Sequence, residues 1–217
     1  MDTDRFSPDR ASASLRRKWH VDHRRPAILY AGRLSREKGL AIVEGLQRML
    51  RRHGLDHRFI FVGDGPMRQE LEARCPDGAF LGSVPHDQVA VAMASADLFL
   101  FPSATDTLGN VVLEAQASGL PVIVSDRGGP KEHMRPNVTG TVCPAGDVEA
   151  FAAALVTLIT ARPVRAAMAA AARDYAAGRS WRASLAPLFG AWQRAADARA
   201  DAQPAIDRLR ARSMNQA

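Results

Sequence analysis

The sequence predicts an α/β fold: a Rossmann-like, doubly wound parallel sheet of about six strands, followed by C-terminal helices. Three observations carry that prediction. Short apolar runs alternate with stretches of helical periodicity along most of the chain, the order that gives parallel strands joined by right-handed crossovers. The runs are continuous rather than alternating, as in Ala27-Ile28-Leu29-Tyr30-Ala31, so both faces of each strand are covered. Finally, 217 residues at 47% hydrophobic and 24% charged suffice for one domain with a sizeable core. Those figures exclude a disordered chain, a collagen-like repeat and a disulfide-stapled miniprotein.

Each element follows in order. The first strand, 27–31, leads into a helix marked by Val43, Leu46, Met49 and Leu50. Arg58-Phe59-Ile60-Phe61-Val62 is the second strand and ends at Gly63-Asp64-Gly65-Pro66. Pro66 suits the first position of a helix reaching Leu71. A short strand at Ala79-Phe80-Leu81 precedes a helix over 88–94. Asp97-Leu98-Phe99-Leu100-Phe101 is the fourth strand, with a helix over 109–118. Pro121-Val122-Ile123-Val124 and Thr141-Val142-Cys143 complete the sheet before helices at 147–161, 163–177 and 181–200. The Ala-rich stretch 152–177 reflects helix propensity. Residues 1–25 read as an approach segment, 26–200 as the domain and 201–217 as a polar tail.

Charge is the one skewed quantity: 29 basic against 23 acidic residues give +6. Residues 1–25 carry seven Lys/Arg and four Asp, and residues 191–217 five Arg and three Asp. The excess therefore sits at the ends, suiting solvated termini or contact with an acidic partner or an anionic membrane surface. Clustered cations with a recognition helix or interleaved aromatics are missing, which excludes nucleic acid as a partner. Cys75 and Cys143 form no C-x-x-C pair and suit a reducing compartment. The six histidines read as surface residues, and no metal site is expected. No apolar leader follows Met1 and no apolar run approaches the ~18 residues of a membrane span. The expected location is cytoplasmic, with a peripheral place at the inner membrane face open to it.

In doubly wound sheets, ligands bind beyond the carboxyl ends of the strands. After the first strand, Gly32-Arg33-Leu34-Ser35-Arg36-Glu37-Lys38-Gly39 sets two cations between glycines, at what reads as a helix start. Cations are unfavourable there unless an anion is bound. Arg33, as a fork, and Lys38, as a point charge, are thus candidate anion ligands. The alternative is a solvated loop whose ion pairs contribute under about 1 kcal/mol. Gly63 and Gly65 allow close backbone approach to a ligand, or form a tight turn. They do not make the G-x-G-x-x-G dinucleotide fingerprint.

The fourth strand end is the most informative. Pro102-Ser103-Ala104-Thr105-Asp106-Thr107-Leu108-Gly109-Asn110 leads into a helix containing Glu114, eight residues after Asp106. Both carboxylates can face a cleft above the sheet, where each accepts hydrogen bonds from vicinal hydroxyls. The alternative is that Asp106 caps the helix and Glu114 complements its dipole. Taken together, two cations, a glycine turn and two carboxylates fit a ligand bearing a diphosphate and several hydroxyls, such as a sugar nucleotide.

The ordered set Tyr30 to Gly39, Phe61 to Pro66, Phe80-Leu81-Gly82, Pro102-Ser103, Asp106 to Val122 and Gly128-Gly129-Pro130-Lys131-Glu132 resembles a known family. It is similar to the C-terminal, donor-binding domain of glycosyltransferase family 4, retaining enzymes of the GT-B architecture. The resemblance runs from about Val21 to Trp192. It implies one GT-B half, with Arg33 and Lys38 on the donor diphosphate and Asp106 beside the transferred sugar. Gly32, Gly63 and Gly65 would approach the donor, and the backbone around Leu81 its base. Thr107, Leu108, Gly109 and Asn110 would reach sugar hydroxyls and the distal phosphate, and Glu114 the ribose. No metal and no cofactor are implied. Asp106 stands where the family has Glu, Leu108 where Phe is common, and Met93 where Tyr is frequent.

The wording Thr105-Asp106-Thr107 through Glu114 looks most like members using GDP-mannose, with a UDP-sugar as the alternative. The family places acceptor recognition and a cleft histidine in an N-terminal domain outside these residues, whether supplied in cis or in trans. The resemblance thus implies a hexosyltransferase half that binds nucleotide and, alone, lacks full activity. Two other readings stand beside it. One is a non-catalytic partner subunit of a split glycosyltransferase. The other is a nicotinamide-dependent oxidoreductase, against which the missing glycine fingerprint speaks.

Overall fold

The computed structural model describes residues 1–179 and 189–194. Met1–Ala177 forms one compact unit and Gly178–Ala217 another. In the second, residues 189–194 are helical, with Phe189 and Trp192 exposed. Most of the helix expected over 181–200, Trp181 included, and the whole tail expected over 201–217 lie outside the described residues.

The first unit is built on six parallel strands. They are β1 (Ala27–Ala31), β2 (Arg58–Val62), β3 (Ala79–Phe80), β4 (Leu98–Phe101), β5 (Val122–Ser125) and β6 (Gly140–Cys143), in the order β3-β2-β1-β4-β5-β6. β1, β4 and β5 are buried at every position, as their continuous apolar runs require. The strand order reverses between β1 and β4, which pair as Ile28↔Leu98 and Leu29↔Phe99. A crevice opens beyond the strand ends at such a reversal.

Seven α-helices complete this unit: α1 (Ala13–Lys18), α2 (Val43–Arg52), α3 (Arg68–Arg74), α4 (His86–Ala94), α5 (Asn110–Ala117), α6 (Val148–Thr160) and α7 (Arg162–Ala177). Ser12 caps α1 through the Leu15 amide, and Asp147 caps α6 through the Ala150 amide, each satisfying a donor that the first turn leaves unpaired. On α2, Val43, Leu46 and Leu50 are buried while Arg51 and Arg52 point outward, a one-sided apolar stripe. Among the described residues no single helix is long and apolar enough to cross a membrane. α6 and α7 meet that measure only as a pair bent by 100°, and α6 buries Phe151, Leu155 and Leu158 in the core.

Three features differ from the sequence reading. The segment after β1 does not open a helix directly. It makes two 3₁₀ turns, Arg36–Lys38 and Leu40–Ile42, before α2 begins at Val43. Residues 1–25 belong to the same compact unit as the sheet, because Phe6, Trp19 and Val21 are buried in its core. His57, expected at the surface, is buried, with its Nδ1 3.0 Å from the Leu55 carbonyl oxygen. Both cysteines are buried too, and burial pushes each thiol up to about 11, which leaves them protonated and unreactive near neutrality.

Candidate functional site

An open cleft of about 700 Å³ lies beyond the carboxyl ends of β1 and β4. Its lining includes Gly32, Arg33, Glu37 and Lys38 from one side, and Asp106 to Val111 with Glu114 from the other. Gly63, Ser83, Val84, His86 and Val89 complete the wall toward β2 and β3. The cations and carboxylates picked out by their spacing in sequence therefore meet at one place.

The first arm follows β1. Tyr30 is buried within that strand, stacks on Phe101 of β4 with centroids 6.0 Å apart, and donates its hydroxyl to the Arg33 carbonyl at 2.8 Å. That bond fixes the turn carrying Arg33, and burial raises the phenol above its ordinary pKa. Leu34, fully buried beneath the loop, accepts the Met67 amide and donates to Asp64. The arm is thus pinned to the β2 loop, and Arg33 projects into solvent.

Gly63 and Gly65 serve that pinning. A Cβ at Gly63 would fall on the Gly32 carbonyl, and one at Gly65 on the Leu34 carbonyl. The close approach they permit is therefore between two loops of the chain. Gly63 still lines the cleft, whereas Gly65 does not. Leu81 does not line it either: its amide bonds to the Phe61 carbonyl at 2.9 Å. It contributes instead to a separate pocket of about 500 Å³ between α1 and α4.

The second arm follows β4. Thr105 donates to the Glu37 carbonyl at 3.1 Å, joining the two arms. Behind the loop stands Gly128-Gly129-Pro130. The Gly129 amide donates to the Asp106 carbonyl at 2.8 Å, and a Cβ at Gly129 would fall on the Thr107 carbonyl. Pro130 packs directly behind Gly109. This buttress was visible in the sequence as a glycine pair after the fifth strand, but its service to a loop some twenty residues earlier was not.

The arms close on a single ion pair. Lys38 Nζ lies 2.8 and 2.9 Å from the two Asp106 carboxylate oxygens, with both side chains about four-fifths buried. Bonds of this kind between ionised partners are short and strong. Glu114, on the first turns of α5, has its Oε1 3.3 Å from His86 Nε2. Burial pushes its carboxyl above the usual carboxylate range, opposed chiefly by His86. His86 is exposed, as the sequence reading had it, but it also lines the cleft, and that role the reading missed. Its place at the start of α4, just past β3, was the available signal. Among the described residues no group of three His, Cys, Asp or Glu stands ready to hold a metal ion.

The family model described as glycosyl transferases group 1 matches residues 25–161. The chain belongs to that family. It is 35% identical over 193 residues to a GDP-mannose-dependent alpha-mannosyltransferase of Mycobacterium tuberculosis, covering 89% of this chain and 49% of the relative. It is 33% identical to the sulfoquinovosyl transferase SQD2 of Arabidopsis thaliana, over 87% of this chain and 37% of that protein. The chain thus spans half or less of the length of these curated relatives. Among solved structures, sucrose-phosphate synthase of Thermosynechococcus elongatus matches with a TM-score of 0.75 at 23% identity, over 91% of this chain and 51% of that one. Anabaena HepE in complex with UDP matches with 0.75 at 22%, over 90% and 56%. At such identities the likeness establishes the fold, which is that of one half of a GT-B glycosyltransferase.

Proposed function

We propose that this chain is the donor-binding half of a retaining, metal-independent hexosyltransferase, which takes a nucleotide-diphosphate sugar and works with an acceptor domain in cis or in trans. The observation that carries the reading is the convergence of Arg33, Lys38, Asp106 and Glu114 on one cleft at the β1–β4 reversal. Arg33 and Lys38 bind the diphosphate. As the bond from the anomeric carbon to the diphosphate oxygen breaks, its electron pair passes to the leaving group, and these cations stabilise that charge. Pre-placed groups of this sort are each worth about 10²–10³ in rate. Asp106 meets the sugar hydroxyls, and Thr107 to Asn110, at the N-terminus of α5, meet the hydroxyls and distal phosphate. Glu114 accepts from the ribose. The acceptor hydroxyl supplies the new bond to the anomeric carbon and gives up its proton to the departing diphosphate.

The mannosyltransferase relatives favour GDP-mannose as donor, with a UDP-sugar second, since HepE is seen with UDP. Membership of a glycosyltransferase family leaves the nicotinamide reading without support. A cytoplasmic location with peripheral attachment at the inner membrane face would suit a lipid acceptor. Of the N-terminal cations, Arg5 and Arg10 pair with Asp87, Arg16 with Asp97 and Arg25 with Asp56, which leaves the exposed Arg17, Lys18 and Arg24 to face such a surface. Isothermal titration of the chain with GDP, UDP and ADP tests the proposal. Binding of one of them, weakened at least tenfold by Arg33→Ala or Lys38→Ala, is the expected result. No binding, or binding untouched by both changes, overturns it.

A further inference from the structure

Glu114 is held from a direction unrelated to the two arms. His86, at the first position of α4, places its Nε2 3.3 Å from Glu114 Oε1 and its Nδ1 3.3 Å from an Arg5 guanidinium nitrogen. A guanidinium can only donate. Nδ1 must therefore be the unprotonated, accepting nitrogen, and the ring proton sits on Nε2, aimed at the carboxylate. Arg5 is itself anchored to Asp87 at 3.3 Å, and the imidazole stands edge-on to the buried Phe6 ring, centroids 5.1 Å apart at 76°. The ring, half-exposed, is met on three sides, with its tautomer chosen by a residue of the N-terminal segment.

We infer that His86 is the positioning residue for Glu114: with Arg5 setting its tautomer, it orients the carboxylate toward the vicinal ribose hydroxyls of the donor. The inference rests on the role given to Glu114 above. A carboxylate has room for several donors, so one bond from His86 leaves Oε2 and part of Oε1 for the ribose. A side chain already held loses less rotamer freedom when ligand binds. Burial draws the carboxyl toward its protonated form, and His86 is the first of the groups that oppose it.

The test compares GDP and UDP with their 2′-deoxy counterparts by titration calorimetry on the full chain. The unaltered chain should prefer the ribonucleotide by about tenfold, the scale of one hydrogen bond to a charged group. His86→Leu should cut that preference to under about threefold, with 2′-deoxynucleotide affinity held. His86→Gln, whose amide can donate to Glu114, should restore it. Should His86→Leu fail to fold, Arg5→Ala carries the test, because it releases the tautomer while leaving every cleft residue in place. An undiminished ribose preference in these variants overturns the inference, as does an equal loss for both nucleotides. Absence of ribose preference in the unaltered chain removes the Glu114 role along with it, and absence of any nucleotide binding removes the donor-site reading itself.

Discussion

The two ends of the parallel sheet carry the same kinds of side chain and use them in opposite ways. At the amino end, charges are matched within the chain. Asp97 accepts from Arg16 at 3.1 Å and from the Ala27 amide at 2.8 Å, and Arg25 pairs with Asp56 and reaches the His57 carbonyl. These bonds close off the strand starts. At the carboxyl end, closure is made by glycine backbones pressed against neighbouring loops. The side chains there are left to line a cleft, with Arg33 exposed and the Lys38 and Asp106 side chains bonded to each other. Where backbone does the packing, charged groups are released for a ligand.

The largest expected effect breaks that backbone closure. Gly129→Ala drives a Cβ into the Thr107 carbonyl and should cost about 3 kcal/mol in urea unfolding, with nucleotide binding lost. Gly54→Ala is the control: its φ is +64° but open space surrounds it, so about 1 kcal/mol is expected. Equal losses at the two sites would show that close approach is not what Gly129 provides. Next, Asp97→Ala at the opposite end should remove about 2 kcal/mol of stability, since it strands a partly buried guanidinium and an amide. Nucleotide affinity should stay unchanged, and a parallel fall would show that the two ends are not independent.

Smaller is the effect of Asp106→Asn. Removing the charge that occupies Lys38 should tighten GDP binding by about threefold to tenfold while sugar transfer by the complete enzyme falls. Weaker GDP binding would mean that Asp106 serves the nucleotide directly.

The smallest effects are in pH. Burial lowers the His57 pKa, so the unfolded chain binds the proton first as pH falls through about 6.5. Its contribution to stability is present above that pH and is lost below it, down to the folded value. Glu114 runs the other way: its pKa is raised, so stability from this group falls as pH climbs from the unfolded value through the folded one. Thermal unfolding of His57→Gln and Glu114→Gln between pH 4 and 8, an interval of roughly two units on either side of the unperturbed imidazole, should flatten these opposed slopes separately.

The interior of the sheet was legible because burial on both faces leaves an unbroken apolar run: β1 and β2 fall where Ala27–Ala31 and Arg58–Val62 predict them. β3 is shorter than expected, two residues at the edge where one neighbour supplies all the pairing. Lys38, Asp106 and Glu114 were readable as ligand-type residues at strand ends. Their partners were not, because the Lys38–Asp106 pair, the His86–Glu114 contact and the Gly129 buttress all join residues distant in sequence. The glycines after β2 read as room for a ligand or as a tight turn, and were undecided for a related reason. Sequence shows that a Cβ is unwelcome at Gly63 and Gly65, but not that another loop, rather than a ligand, is what it would strike.

The β1–β4 seam has a consequence for how the molecule is assembled. The strands meet there through two paired positions drawn from residues some seventy apart, a contact whose loop must close before it returns any stabilisation. A chain emerging from synthesis holds Arg33 and Lys38 long before Asp106 exists to meet them. The cleft is therefore a late product of folding, and capacity for nucleotide should return on refolding with the slowest phase that completes the sheet.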